Sequence, residues 1–260
     1  MTLILTPLEQ FPLIQPDDDL AGILWTALNQ SSIRLQDGDI LVIAQKIVSK
    51  AEGRLVHLSQ VQPSPRALEL AAQTDKDPRQ VELVLRESRE ILRARPGTLI
   101  VEHRLGFVCA NAGIDHSNVQ PGTGVLPDVD PAEWLLLLPK NPDASAAAIR
   151  CRLEQASGKR IGVMIIDSHG RAWRLGTVGA CIGLSGLPGL VDLRGQPDLF
   201  GYQLRITLVG AADELAAAAS LLMGQAAEGT PVVHVRGFPY PLREGAFSEL
   251  IRPKEQDLFR

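Results

Sequence analysis

The segment from Gly162 to Gly186 constrains the fold more than any other part of this chain. It opens as the apolar run Gly162–Ile166 and turns polar abruptly at Asp167-Ser168, followed by His169-Gly170. Such a run reads as a buried strand that ends at Asp167-Ser168, with a turn at His169-Gly170. A carboxylate and a hydroxyl at the mouth of a buried strand offer oxygen to a hard cation. The ordinary reading of an aspartate in that place is a turn former. Gly176, Gly179, Gly183 and Gly186 follow, and each lets backbone approach a ligand or another backbone closely.

The chain has 260 residues, 45% of them hydrophobic and 22% charged, which is ordinary for a folded domain with a sizeable core. Its formal net charge of -4 gives no electrostatic case for a nucleic-acid or acidic-membrane partner. No run approaches the ~20 apolar residues needed to span a bilayer. No Lys or Arg precedes Arg34, so a secretory signal is not expected, and the expected location is cytoplasmic. Cys109, Cys151 and Cys181 are dispersed and read as reduced packing residues rather than catalytic thiols.

Strand and helix signals interleave without a strict βαβ rhythm, so the fold class is mixed α+β. Leu3–Leu5 opens like a strand, and Asp17-Asp18-Asp19 precedes a helical run through Trp25. Ile40–Ala44 is a second buried-strand run, followed by the polar segment Gln45–Gly53. Helical spacing appears over Arg66–Ala72 and over Pro78–Ala94, and a hairpin fits Thr98–Glu102 with Gly106–Ala110. Asn111–Pro131 is a long loop carrying Asp115 and Asn118, of a length that is usually functional. Trp134–Pro139 and Tyr202–Val209 read as strands. Asp143–Ser145 caps a helix through Leu153, Asp213–Ala226 is an Ala-rich helix, and Pro231–Arg236 is a last central strand. The tail past Arg252 reads as polar and loose.

There is no P-loop, no G-x-G-x-x-G and no G-x-S-x-G, and no two histidines have zinc-ligand spacing. What remains is oxygen for a hard cation and lysine for phosphate. Asp115, like Asp167, sits just past an apolar strand, and two carboxylates from two strand ends suit Mg²⁺ or Mn²⁺ bridging nucleotide phosphates. An Asx-turn role for Asp115 and Asn118 is the competing reading. Lys46 and Lys50 flank Ser49 after the Ile40–Ala44 strand and could act as point charges on phosphate, or lie on a solvated face. Glu87 has no basic residue three or four positions away, so it reads as a solvated surface carboxylate. His116 and His169 each neighbour a candidate ligand and could support it or act as a base.

Taken in order, several blocks resemble the coenzyme F420-0:L-glutamate ligase (F420-0:gamma-glutamyl ligase) family over almost the full length. They are Gly38–Arg54, Asp77-Pro78-Arg79 with Glu87-Ser88, Ala112–Asn118, Leu138-Pro139 with Asn141-Pro142-Asp143, and Asp167–Arg174. Asp192–Gly195 with Asp198–Gly201, Ala212–Ala216, and Met223-Gly224 with Arg236-Gly237 complete the set. The resemblance implies a GTP-dependent ligase that joins L-glutamate to the carboxylate of F420-0 through an acyl phosphate, releasing GDP and phosphate, with further γ-linked glutamates as an option. A ligase for another carboxylated cofactor, or a non-catalytic nucleotide- or metal-binding protein on the same scaffold, are the alternatives. The implied fold is a mixed-sheet, two-part α+β architecture specific to the family. It would form one 1–260 domain with a portion inserted mid-chain, assembled as an intertwined homodimer.

Divalent Mn²⁺ or Mg²⁺, as two ions, and K⁺ are the implied cofactors. By the same resemblance the divalent ligands fall on Asp115, Asp167, Ser168 and Gln225. The GTP contacts fall on Phe11, Pro12, Leu13, Ile14, Gln45, Lys50, Asn118 and Gln225, and the catalytic set is Asp115, Asp167 and Lys50. Three departures stand out. Phe11 occupies a position where leucine is common, Ser168 one where threonine is usual, and Tyr202 one where arginine is expected.

Overall fold

A computed structural model describes residues 2–119 and 133–257. In chain order the elements are β1 (Ile4–Pro7), α1 (Leu20–Gln30), β2 (Ile40–Ala44), α2 (Gln45–Ala51), β3 (Leu55–His57), α3 (Pro65–Thr74), α4 (Pro78–Arg86), β4 (Ser88–Arg95) and β5 (Thr98–His103). There follow β6 (Val108–Ala110), β7 (Trp134–Leu136), α5 (Pro142–Ser157), β8 (Gly162–Arg171), β9 (Arg174–Ser185), β10 (Val191–Asp192), β11 (Leu208–Val209), α6 (Ala211–Met223) and β12 (Val232–Arg236). This is a mixed α+β architecture, as the interleaved signals imply.

The principal sheet has the order β1-β12-β2-β8-β9. All its neighbours are antiparallel except β2 and β8, which run parallel with Ile40 opposite Gly162 and Ala44 opposite Ile166. Where they lie side by side, over Ile40–Ala44 and Gly162–Ile166, the two strands are buried almost throughout, which explains why both stretches read as continuous apolar runs rather than alternating ones. A second sheet, β4-β5-β6, carries α3 and α4 over a separate core that includes Leu70, Val81, Val84, Leu99 and Val101. β3 pairs with β7 beside it.

Several local signals act as read. The Asp19 carboxylate caps α1 by accepting from the Gly22 N–H at 3.2 Å. α5 instead starts at Pro142, capped by Asn141, and continues to Ser157. Asp143 serves elsewhere: it accepts the Leu184 N–H at 2.8 Å and the Phe247 N–H at 3.1 Å, tying α5 to β9 and to the C-terminal segment. The polar segment after β2 is the helix α2. Of the expected Trp134–Pro139 strand Trp134–Leu136 forms one, and of Tyr202–Val209 Leu208–Val209 does, with Gln203 making an isolated bridge to Pro197. The tail is not loose at Lys254, whose ammonium lies 2.7 Å from the buried Glu102 carboxylate. Residues 120–131 of the long loop lie outside the described residues.

Three expectations are corrected more deeply. The helix read over Pro78–Ala94 ends at Arg86, and Ser88–Arg95 is strand, because pairing with β5 outweighs the local helical spacing. Glu87, at the junction, is only 5% exposed and is ion-paired to Arg54 at 2.9 Å and Arg104 at 3.0 Å, not solvated. β8 does not stop at Asp167-Ser168 and does not turn at His169-Gly170. Its pairing with β9 continues, Asp167 opposite Ala180 and His169 opposite Val178, to a reversal between Arg171 and Arg174. The apolar run ends because the ribbon leaves the covered core, not because the strand ends.

Two glycines of β9, Gly179 and Gly183, take the packing role. A Cβ on Gly179 would overlap the Ala216 carbonyl and Ser220 of α6, and one on Gly183 would overlap Pro142 of α5. Gly183→Ala is therefore expected to lower unfolding free energy by about 1–3 kcal/mol in urea denaturation. A neutral change would mean that α5 yields freely.

At the other end of β2, Asp39 is 1% exposed and accepts from Arg236 Nη2 at 2.7 Å and His234 Nε2 at 2.9 Å. Burial opposes its charge, but the Arg236, His234 and Gln36 N–H donors win and hold the carboxyl at about 2. A depressed folded-state value means stability that is complete above the unfolded value of about 3.9 and lost as pH falls toward 2. Between those limits wild type should lose about 2 kcal/mol through Asp39 alone. Asp39→Asn should flatten that part of an acid-denaturation profile.

Candidate active site

The site is built where β2 ends beside β8. Because the two strands are parallel and in register to Ala44–Ile166, the chain enters α2 at Gln45 and Lys46 as its neighbour reaches Asp167. Asp115 arrives from a different direction. Asn111, Ala112 and Gly113 form a tight left-handed turn with φ of +49°, +54° and +63°. The turn is fixed by Asn111 Oδ1, which accepts the Leu99 N–H at 3.1 Å, and by Gly113, whose missing Cβ leaves room for Leu138. Asp115 is then held by reciprocal backbone hydrogen bonds with Leu136, each 2.9 Å.

In this arrangement Gln45 Nε2 donates to Asp115 Oδ2 at 2.6 Å, while Gln45 Oε1 accepts from Ser49 at 2.8 Å. Lys46 Nζ lies 3.4 Å from Asp115 Oδ1 and donates to the Ser117 carbonyl at 3.0 Å. Lys50, further along α2, is held below its usual range by burial and then by the charge of Lys46. The Ser168 hydroxyl donates to Gln225 Oε1 at 2.7 Å. Gln225 lies just past α6, which Gly224 ends at φ +71°, rather than within it. Next to it the Ala226 carbonyl accepts from Asn118 Nδ2 at 2.8 Å. The Asp115–Asn118 loop, the Asp167-Ser168 stretch of β8, the start of α2 and the 225–226 loop are thus stitched into one place.

Phe11–Ile14 stands apart from this network. Ile14 is buried in the main core, Leu13 is 82% exposed, and the segment is anchored close to α2 through the Asp17 N–H, which donates to the Ala51 carbonyl at 2.9 Å. His116 lines a cavity of about 220 Å³ with Lys76, Gln80 and Asn111. His169 comes directly to the site, its Nε2 3.1 Å from Asp167 Oδ2. Cys109 also approaches, but burial and then the Asp167 charge push its thiol up to about 12, and burial keeps Cys181 a neutral thiol as well. Neither is an activated nucleophile.

The electrostatics favour a cation. Burial, and after it the charge of Asp167, raise the Asp115 carboxyl to about 6, with Lys46 and Gln45 only partly offsetting them. Two carboxylates, a hydroxyl and an amide carbonyl form an all-oxygen donor set suited to Mg²⁺ or Mn²⁺. Among the described residues no three His, Cys, Asp or Glu side chains already stand at ligand spacing. A hard cation here would complete its shell with phosphate oxygen and water, as Mg²⁺ commonly does.

A sequence profile described as F420-0:gamma-glutamyl ligase matches residues 9–237. The chain belongs to the F420-0:gamma-glutamyl ligase family. The coenzyme F420:L-glutamate ligase of Methanothermobacter thermautotrophicus is 47% identical over 262 residues, covering 100% of both chains. That of Methanopyrus kandleri is 45% identical over 263 residues, 100% of this chain and 98% of the relative. That of Methanocaldococcus jannaschii is 46% identical over 226 residues, 87% of this chain and 86% of the relative. Membership in this ligase family, with such identity over the whole chain, makes the protein a ligase. Among the described residues no helix is long and apolar enough to cross a membrane.

Proposed function

We propose that this ligase uses GTP to join L-glutamate to the carboxylate of F420-0. The observation that carries the reading is the meeting of Asp115 and Asp167, delivered from separate parts of the chain, with Lys46 and Lys50 on the adjoining helix. The relatives' printed names supply the two substrates. A carboxylate resists attack by an amine because its leaving oxygen is poor. Phosphorylating it with the γ-phosphoryl of GTP creates an acyl phosphate with a good leaving group, and the glutamate amine then displaces phosphate. Charge builds on the transferring group, so positive charge fixed around it is the main demand on the site.

Lys50 suits contact with phosphate because burial strips it of competing water. Gln45 and Lys46 hold Asp115 in place, and Asn118 fixes the loop that carries it. Mn²⁺ or Mg²⁺, bound by Asp115, Asp167, Ser168 and Gln225, would supply charge neutralisation at the phosphates, with K⁺ as a monovalent companion. Phe11–Ile14, reaching α2 through Asp17, would contact the nucleotide. The assembly we propose is a homodimer. In support, the 173–208 region leaves Trp173, Leu175, Leu199, Phe200 and Ile206 each more than 85% exposed in the single chain. The test is incubation with GTP, Mn²⁺, L-glutamate and F420-0. A product heavier by one glutamyl unit is expected, and folded protein yielding none would refute the reading.

A further inference from the structure

The contact between His169 and Asp167 stands at ion-pair distance but is not a hydrogen bond, and its geometry is the one a chelate needs. The two residues lie two apart on β8, so their side chains share a face of the ribbon. His169 Nε2 is 3.1 Å from Asp167 Oδ2, yet it is buried and makes no hydrogen bond, so its N–H direction does not point at the carboxylate. Two ligands about 2.1 Å from one ion, at right angles to each other, stand about 3.0 Å apart. The imidazole is also held in place, its ring centroid 5.0 Å from that of Phe107, which itself packs edge-on against Phe247 at 5.7 Å.

We propose that His169 Nε2 is an inner ligand of a divalent cation, chelating it together with Asp167. This rests on the cation-binding reading of the site given above and adds a nitrogen donor to an otherwise all-oxygen set. The lone pair of Nε2 faces the ion, which leaves the ring proton on Nδ1. Nitrogen ligation shifts preference away from Mg²⁺ and toward Mn²⁺ and the later transition metals, which take imidazole more readily. The residue therefore sets which cation the enzyme holds.

Nucleotide-free full-length protein loaded with Mn²⁺, observed by electron spin-echo envelope modulation, tests this without reference to turnover. Wild type should show ¹⁴N modulation from imidazole, and His169→Gln should lose it. The same variant should bind Mn²⁺ more weakly by roughly tenfold or more, while Mg²⁺ affinity, read by competition, changes little. The wild-type spectrum decides even if the variant folds poorly. Mn²⁺ bound to wild type, and lost in Asp167→Ala, but without imidazole modulation would overturn His169 ligation and leave the cation reading standing. Wild type that fails to bind Mn²⁺ would overturn both.

Discussion

Asp167→Ala is expected to lower kcat for ligation by roughly 10³-fold or more, with the thermal melt displaced by only a few degrees. The two halves of that expectation have separate causes. Asp167 follows the covered part of β8, where the burial pattern changes from five buried residues to half-buried and exposed ones, so its removal opens no core cavity. Its charge also repels Asp115, one of the causes that raise that carboxyl to about 6. Relieving the repulsion favours the folded state slightly. Function suffers because Asp115 alone, already partly neutralised by Lys46 at 3.4 Å, cannot hold a divalent ion against phosphate and water. Wild-type turnover in the variant would remove Asp167 from the mechanism. A collapse of the melt would make it a structural residue instead.

Glu87→Ala should act in the opposite sense, with a large loss of stability. Burial works against the Glu87 carboxylate, but His103, Arg54 and Arg104 outweigh it and keep the group charged. Removing it leaves Arg54, whose side chain is 12% exposed, and Arg104 facing each other without a counter-charge. Stripping one partner from a buried ion pair typically costs about 3–5 kcal/mol. The carboxylate joins the start of β3, the end of α4 and the β5–β6 turn, so the loss should appear as a lower urea midpoint for the cooperative transition. A change below about 1 kcal/mol would show that the cluster is solvated in practice.

Those two residues also show what the sequence makes legible. The apolar runs at Ile40–Ala44 and Gly162–Ile166 identify the central strands, because strands covered on both faces need apolar residues at every position. The aspartates stand out because each follows an apolar segment abruptly. Glu87 escapes notice because its partners are 33 positions before it and 17 after it, beyond the reach of any helical spacing rule. The strand Ser88–Arg95 is missed for a similar reason: Ile91 and Leu92 fit a helical face as well as a pleat, and only hydrogen bonds to β5 decide between them.

The site itself divides the same way. Oxygen donors after strands suggest a hard cation, and the family resemblance implies Asp115, Asp167, Ser168 and Gln225 as its ligands. Nothing local announces that Gln45 grips Asp115 or that Asn118 binds the carbonyl beside Gln225. Those contacts follow from the parallel register of β2 with β8 and from the left-handed turn at Asn111–Gly113. His169 reads as a turn residue until β8 is seen to run on through it.

The most direct measurement of the proposed chemistry follows oxygen. F420-0 whose carboxylate carries ¹⁸O is incubated with GTP, L-glutamate, Mn²⁺ and the enzyme, and the released phosphate is analysed by mass. Activation through an acyl phosphate predicts one ¹⁸O transferred from the carboxylate to phosphate for each amide bond formed. Amide product accompanied by unlabelled phosphate would contradict it.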